Sequence, residues 1–299
     1  MKWNESIKEF INYLKIERGL AENTTKSYQT DLKLLHQWLK KNYPKSKPLK
    51  INTATLQEFL YQRSKKVKTA TQNRTSARLR TYLAYLHFSK YRDSNPMAII
   101  ESPKAERSLP DVLSLEEIDA IIAEIDLSHP QGERNRAIIE LLYSCGLRVS
   151  ELINLRISDL FFEEAFIRVE GKGSKQRLIP IAPITQRYIN TYINQIRVLQ
   201  EVKPRASDII FLNRRGNKLT RNMIFIIIKD LVEKAGIEKN VSPHTFRHSF
   251  ATHLLQNGAD LSAIQQMLGH ESITTTEIYT HIDNTQIRET LYKFHPRNK

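Results

Sequence analysis

One stretch divides this chain. Ser102-Pro103-Lys104-Ala105-Glu106-Arg107-Ser108-Leu109-Pro110 has no apolar periodicity and carries two prolines. Such a segment neither continues a helix nor sits inside a sheet, so it reads as a linker. The 299 residues therefore have to fold as two modules, each long enough to bury its own core. The reading is an N-terminal domain at residues 1–102, a linker at 103–112 and a C-terminal domain at 113–299. Ser114-Leu115-Glu116-Glu117 marks the restart: Ser114 can cap a new helix while Glu117 reaches back to the cap.

Charge follows the same division. Residues 1–107 hold 22 Lys and Arg against 9 Asp and Glu, whereas the remainder holds 24 against 23. Nearly all of the formal net charge of +14 thus sits on the first module, which implies a polyanionic partner or an anionic surface. No apolar run approaches the roughly 20 residues that span a bilayer, and Met1-Lys2-Trp3-Asn4-Glu5 leads into a mixed polar helix rather than a signal sequence. The single cysteine, Cys145, excludes an intramolecular disulfide, so a cytoplasmic location is expected. Double-stranded DNA becomes the expected partner, with lysines and arginines gripping phosphates; the plainer alternative is a basic face kept for solubility.

The N-terminal module reads as all helix. Ile7, Phe10, Ile11 and Leu14 recur at helical spacing. Asn23 or Thr24 can cap a second helix carrying Tyr28, Leu32, Leu35 and Leu39; Thr53 can cap a third with Leu56, Phe59 and Leu60; a fourth runs through Ala77, Leu79, Leu83 and Leu86. Basic residues gather on the last two, and Lys65, Lys66, Arg74, Arg78 and Arg80 are the candidate DNA contacts, Arg74 and Arg78 sharing a helix face. A solvated charged face is the structural alternative.

Helices dominate the C-terminal module too, with one interruption. Phe166–Val169 and Arg177–Ile181 are β-type runs around Glu170-Gly171-Lys172-Gly173-Ser174-Lys175, a hairpin signal that puts Lys172 at an exposed tip. The fold class is therefore mainly α with a small β-hairpin in the second domain. Ser242-Pro243 opens a helix through Phe246, Phe250 and Leu254 that Gly258 can end; another near Leu261–Leu268 stops at Gly269-His270; Ser272 can cap a short helix carrying Tyr279.

Cleaving a phosphodiester without a metal needs a nucleophile, positive charge on the non-bridging oxygens and an acid for the leaving alkoxide. Arginine is the best clamp, because its planar fork donates two parallel bonds and keeps its charge. The C-terminal module carries Arg148 in Gly146-Leu147-Arg148-Val149-Ser150-Glu151, His244 and Arg247 three apart at a helix start, and His270 and Tyr279 near the end. Each has a structural alternative: Arg148 could simply pair with Glu151, Tyr279 could be a half-buried aromatic, and His270 could end a helix. Zinc is excluded, since His244, His248 and His253 lack the acidic neighbour and third ligand such a site needs. Gly171-Lys172-Gly173-Ser174 joins strand to strand and lacks the spacing of a nucleotide-binding loop.

Taken together and in this order, Gly146–Leu152, Gly171–Arg177, His244–His253, Leu268–His270 and Thr275–His281 resemble the tyrosine recombinases, the phage-integrase family, over essentially the whole chain. The resemblance implies an all-α SAM-like N-terminal domain that grips core DNA and an α+β DNA breaking-rejoining catalytic domain. It implies that Arg148 and Arg247 clamp the scissile phosphate, that Lys172 protonates the departing 5′-oxygen, that His244 and His270 assist by hydrogen bonding and proton transfer, and that Tyr279 attacks to give a 3′-phosphotyrosyl link. Glu151 would support the geometry. No cofactor, ATP or metal is implied. The implied assembly is a tetramer on two DNA sites, with a companion recombinase of the same family and control by a DNA translocase, and the implied task is resolving chromosome dimers during cell division.

Three rivals stand beside this reading. A mobile-element integrase often carries an extra N-terminal arm-binding domain, whereas this chain begins almost directly with its first helix. A non-catalytic DNA-binding protein would not need the full set of catalytic residue types. A type IB topoisomerase shares the chemistry but not the compact helical module. The apolar stripe Ile287, Leu291 and Phe294 could pack on its own domain or dock into a neighbouring protomer in a head-to-tail ring.

Overall fold

The structure is a computed structural model that describes residues 1–101, 103, 111–171, 175–269 and 284–298, with side chains from residue 287 in the last segment. The chain forms two compact units, Met1–Ser108 and Leu109–Lys299.

The first unit is helical throughout its described residues: α1 (Trp3–Ile16), α2 (Glu22–Asn42), α3 (Thr53–Ser64) and α4 (Thr69–Phe88), with a single 3-10 turn at Pro48–Lys50. Apolar residues at three- and four-residue spacing put one stripe of each helix inside. Phe10, Leu14, Leu32, Leu35, Leu39, Leu56, Leu79, Tyr82, Leu83 and Leu86 are essentially inaccessible to solvent. The Tyr82 hydroxyl meets the buried Ser6 hydroxyl at 2.6 Å, which satisfies both groups away from water; burial pushes the phenol well above its ordinary range.

Two helix starts differ from the sequence expectation. The second helix begins before Asn23 and Thr24, at Glu22 with Ala21 as its cap and no side-chain capping bond. The acidic Glu22 takes over that role electrostatically, facing the helix's positive end and pairing with Lys26 at 2.8 Å. The third helix is capped by Asn52, whose side chain accepts from the Thr55 amide at 2.9 Å. Thr53 lies inside the helix, its hydroxyl committed to the Pro96 carbonyl at 3.1 Å.

The second unit contains α5 (Leu115–Ala123), α6 (Gly132–Ser144), α7 (Val149–Asn154), strands β1 (Leu160–Phe161), β2 (Phe166–Glu170) and β3 (Gln176–Pro180), then α8 (Pro183–Thr191), α9 (Arg221–Lys234), α10 (Pro243–Gln256), α11 (Leu261–Leu268) and α12 (Asn284–Phe294). The strands form one antiparallel sheet in the order β1-β2-β3, with Val169 opposite Arg177 and Glu170 opposite Gln176. The hairpin was legible in the sequence; the two-residue β1 was not, being too short to show alternation.

Helix α6 is apolar on nearly every side, with Ala137, Ile138, Ile139, Leu141, Leu142 and Tyr143 all fully buried, as expected of a central helix. It packs against α8, α10 and α7. Ser114 caps α5 reciprocally with Glu117, and Ser242 caps α10 with Pro243 in its first turn. The C-terminal stripe packs on its own unit: Ile287 and Leu291 are buried and α12 lies against β3, α10 and α11.

Candidate active site

The end of α6 runs through Cys145 and Gly146 into α7. Gly146 has φ +58, a left-handed conformation that side chains disfavour. A Cβ there would also come within 2.6 Å of the Phe250 ring on α10. The glycine thus lets α10 approach closely enough for Arg247 to donate through Nη1 to the Gly146 carbonyl at 2.7 Å. The same guanidinium donates through Nη2 to the Leu268 carbonyl at the end of α11.

Arg148 sits at the start of α7. Its amide donates to Glu151 Oε2 at 2.8 Å, its Nη1 to Glu151 Oε1 at 2.8 Å and its Nη2 to the Gly269 carbonyl at 3.2 Å. The Arg148–Glu151 pair offered as a structural alternative is therefore present, yet it does not consume the arginine, whose side chain remains 31% exposed while that of Glu151 is 1% exposed. Arg247 Nη1 lies 4.0 Å from the same carboxylate.

A third guanidinium, absent from the sequence-derived site, completes the cluster. Arg177 on β3 donates to both oxygens of Glu151, Nη1 to Oε1 at 2.8 Å and Nη2 to Oε2 at 2.9 Å, and its Nε donates to the Met267 carbonyl at 2.8 Å. The available signal was register: Arg177 is the cross-strand partner of the buried Val169, and a basic residue on the inward face of a strand demands a partner.

The electrostatics follow from these distances. Burial raises the Glu151 carboxyl, but the bonds and charge of Arg177 and the Arg148 amide and side chain outweigh it and hold the group below the usual carboxylate range. Arg247 is pushed down to about 10, first by burial and then by the charge of Arg148, with Arg177 adding to Arg148 and Glu151 opposing both. Among the described residues, Glu151 is the one carboxylate paired with any of the three arginines. Three cations around one anion leave an excess of positive charge in a largely buried cluster, which is the electrostatic condition for receiving an anion from outside.

Lys172, His270 and Tyr279 lie outside the described residues, as does the expected Ser272 helix start. The residues preceding the first two border the cluster. A Cβ on Gly171 would lie 3.5 Å from Arg177 Nη1 and 4.0 Å from Glu151 Oε1. Gly269, at φ +63, ends α11 in the left-handed conformation, gives its carbonyl to Arg148, and leaves the space that Arg177 Cδ and Nε occupy 3.1 and 3.2 Å from where a Cβ would stand. The chain therefore leaves for Lys172 and for His270 from the edge of one guanidinium cluster. His244 is exposed in the first turn of α10, one turn before the buried Arg247.

In the N-terminal unit the structure separates the expected DNA contacts. Lys65, Lys66 and Arg74 are exposed, Lys65 with its ammonium 4.4 Å from the Tyr61 ring centroid. Arg78 instead bonds the buried Asp31 at 2.7 Å, beside Arg63 at 3.3 Å. Arg80 donates to the carbonyls of Met97 at 3.4 Å and Ile100 at 2.7 Å. These two are committed at least partly to the fold.

Comparison with known proteins agrees with the architecture. Residues 111–286 match the phage integrase family and residues 7–89 match the phage integrase N-terminal SAM-like domain. The chain is 41% identical over 293 residues to the tyrosine recombinase XerD of Oceanobacillus iheyensis, covering 98% of each protein. Among solved structures, it is 32% identical to the XerA recombinase, with a TM-score of 0.51 over 97% of this chain and 98% of that one. It is 25% identical to the XerH site-specific recombinase bound to its difH substrate before cleavage, with a TM-score of 0.68 over 95% of this chain and 82% of that one.

Proposed function

The chain belongs to the phage integrase family, the tyrosine recombinases, and on that premise we propose that it breaks and rejoins DNA at a specific site through Tyr279. It is a DNA breaking-rejoining enzyme of the site-specific recombinase class. The observation that carries the proposed residue roles is the positively charged cluster around Glu151: Arg148 and Arg247, distant in sequence, are held by main-chain carbonyls and one shared carboxylate with charge to spare.

In this reading the scissile phosphate docks on Arg148 and Arg247. Their bonds are made before substrate arrives, so charge developing on the non-bridging oxygens is met without reorganisation. The Tyr279 oxygen forms a bond to phosphorus as the bond to the 5′-oxygen breaks. The phenolic proton passes to a histidine, His244 or His270 assisting, and Lys172 supplies a proton to the departing 5′-oxygen. The 3′-phosphotyrosyl link keeps the energy of the ester. A 5′-hydroxyl from a partner duplex can therefore reverse the step and exchange strands with no ATP and no metal.

The N-terminal unit grips the duplex through Lys65, Lys66 and Arg74, supplying affinity and register rather than chemistry. The working assembly in this reading is a tetramer of recombinases on two DNA sites, with a companion XerC-like recombinase and a DNA translocase. It acts in the cytoplasm to resolve chromosome dimers during cell division. No helix among the described residues is long and apolar enough to cross a membrane.

A suicide duplex nicked beside the cleavage site tests the chemistry, because the short 5′-hydroxyl fragment diffuses away and traps the enzyme on DNA. Wild type should form an adduct that resists denaturant, and Tyr279→Phe should form none while still binding the duplex. A wild-type protein that binds its site yet never forms the adduct overturns the assignment.

A further inference from the structure

We propose that Arg177 is a positioning residue for DNA cleavage, acting through Glu151 to hold Arg148 in register for the phosphate with its charge uncancelled. The proposal rests on the reading of Arg148 as a phosphate clamp. It starts from the acceptor sites of one carboxylate. Glu151 Oε1 receives Arg148 Nη1 and Arg177 Nη1, while Oε2 receives the Arg148 amide and Arg177 Nη2. Four donors fill the four lone-pair directions a carboxylate offers, so its plane cannot turn without breaking bonds on both sides. The Arg148 guanidinium hangs from that plane.

Arg177 has a second effect on the same carboxylate. A lone Glu151 would pair fully with Arg148 and swing toward Arg247, which already lies 4.0 Å away; the clamp would then arrive at the phosphate half neutralised. By occupying both oxygens from the far side, Arg177 draws the anion's charge onto itself and leaves Arg148 oriented without being cancelled. The Arg177 side chain is only 14% exposed, so solvent screens this pairing weakly.

The same residue ties three chain segments together. Its fork holds Glu151 on α7, its Nε and shaft hold the end of α11 at the Met267 carbonyl and beside Gly269, and its backbone belongs to β3. Lysine cannot reproduce this, because an ammonium has no planar fork to match two carboxylate oxygens while a third nitrogen reaches a carbonyl.

The test measures single-turnover cleavage of the nicked suicide duplex at saturating protein, alongside binding of the intact site, for full-length wild type, Arg177→Lys and Arg177→Met. Both variants should bind the duplex within a few-fold of wild type yet cleave on the order of 10²-fold more slowly, the penalty expected of a misplaced catalytic group. Thermal melting shows which variants fold; should Arg177→Met fail, Arg177→Lys alone carries the comparison. A second duplex with sulfur in place of the scissile 5′-bridging oxygen no longer needs an acid for its leaving group. If Arg177 works on the clamp, this duplex leaves the defect in place.

Cleavage by Arg177→Lys at the wild-type rate overturns the proposal, and so does recovery of either variant on the sulfur duplex, which would place the effect on leaving-group protonation. A loss of binding that matches the loss of cleavage overturns it as well, since that describes a merely structural residue. Failure of wild type itself to form the adduct would be a failure of the recombinase reading, visible before any variant is compared.

Discussion

Acid should unfold this protein partly through one imidazole. His295 follows α12 and is completely buried, against the rings of Tyr143 and Phe250 at 4.9 and 5.4 Å. Its Nδ1 accepts the Arg297 amide at 3.2 Å, so the neutral ring carries its proton on Nε2, which has no partner among the described residues. Protonating Nδ1 would set two donors against each other. Burial, then the charge of Arg297 and that of His253, push the imidazole from 6.5 down to about 3. The sign follows directly: the folded-state value is depressed, so the contribution is complete above pH 6.5 and is lost as pH falls toward 3. At about pH 5 the unfolded chain is protonated and the folded one is not, at a cost of about 2 kcal/mol. In a unit of this size that corresponds to about 4–8 °C in Tm.

The control is His295→Asn, whose amide oxygen can still accept from the Arg297 amide but does not titrate. Urea unfolding of both proteins at about pH 7.5 and about pH 5 separates His295 from the carboxylates that titrate in the same window. The variant should be less stable at the higher pH, having lost the ring contacts, but the gap should narrow by about 2 kcal/mol at the lower pH. Equal losses in the two proteins on acidification would refute the reasoning.

Three further substitutions have outcomes set by their surroundings. Gly269→Ala should cost about 1–2 kcal/mol for the left-handed backbone alone, and should slow cleavage as well, because its Cβ meets Arg177 at 3.1 Å; adduct formation at the wild-type rate would separate Arg177 from the site. Arg74→Ala should lower the salt slope of DNA binding by about 1 with little change in melting. Arg80→Ala, whose guanidinium holds the Met97 and Ile100 carbonyls, should instead lower the melting temperature of the N-terminal unit; a salt titration and a melting curve on each variant check the contrast.

The helices were legible because their information is local. Leu79, Leu83 and Leu86 repeat with the period of a helix, and their burial in α4 follows from that period whatever they pack against. Ser114 and Ser242 announced α5 and α10 because the polar groups that satisfy a helix start lie within one turn of it. The same logic misled at Thr53, whose hydroxyl was claimed by Pro96, far along the chain. The family was legible for a different reason: the spacing of its motifs survives in a single sequence, and both its domain models match.

Sequence alone named Arg148 and Arg247, whose type suits a phosphate, and the family resemblance added Glu151 as their support. It was blind to Arg177 and to the pairing of Arg78 with the buried Asp31, and it left open whether the Arg148–Glu151 pair cancels itself. Those are decisions about which charges share one small volume. Coulomb energies depend on distance and on exclusion of water, not on position along the chain. Only when β3, α7, α10 and α11 are brought together does one carboxylate face three guanidiniums, and only then does the surplus of charge exist.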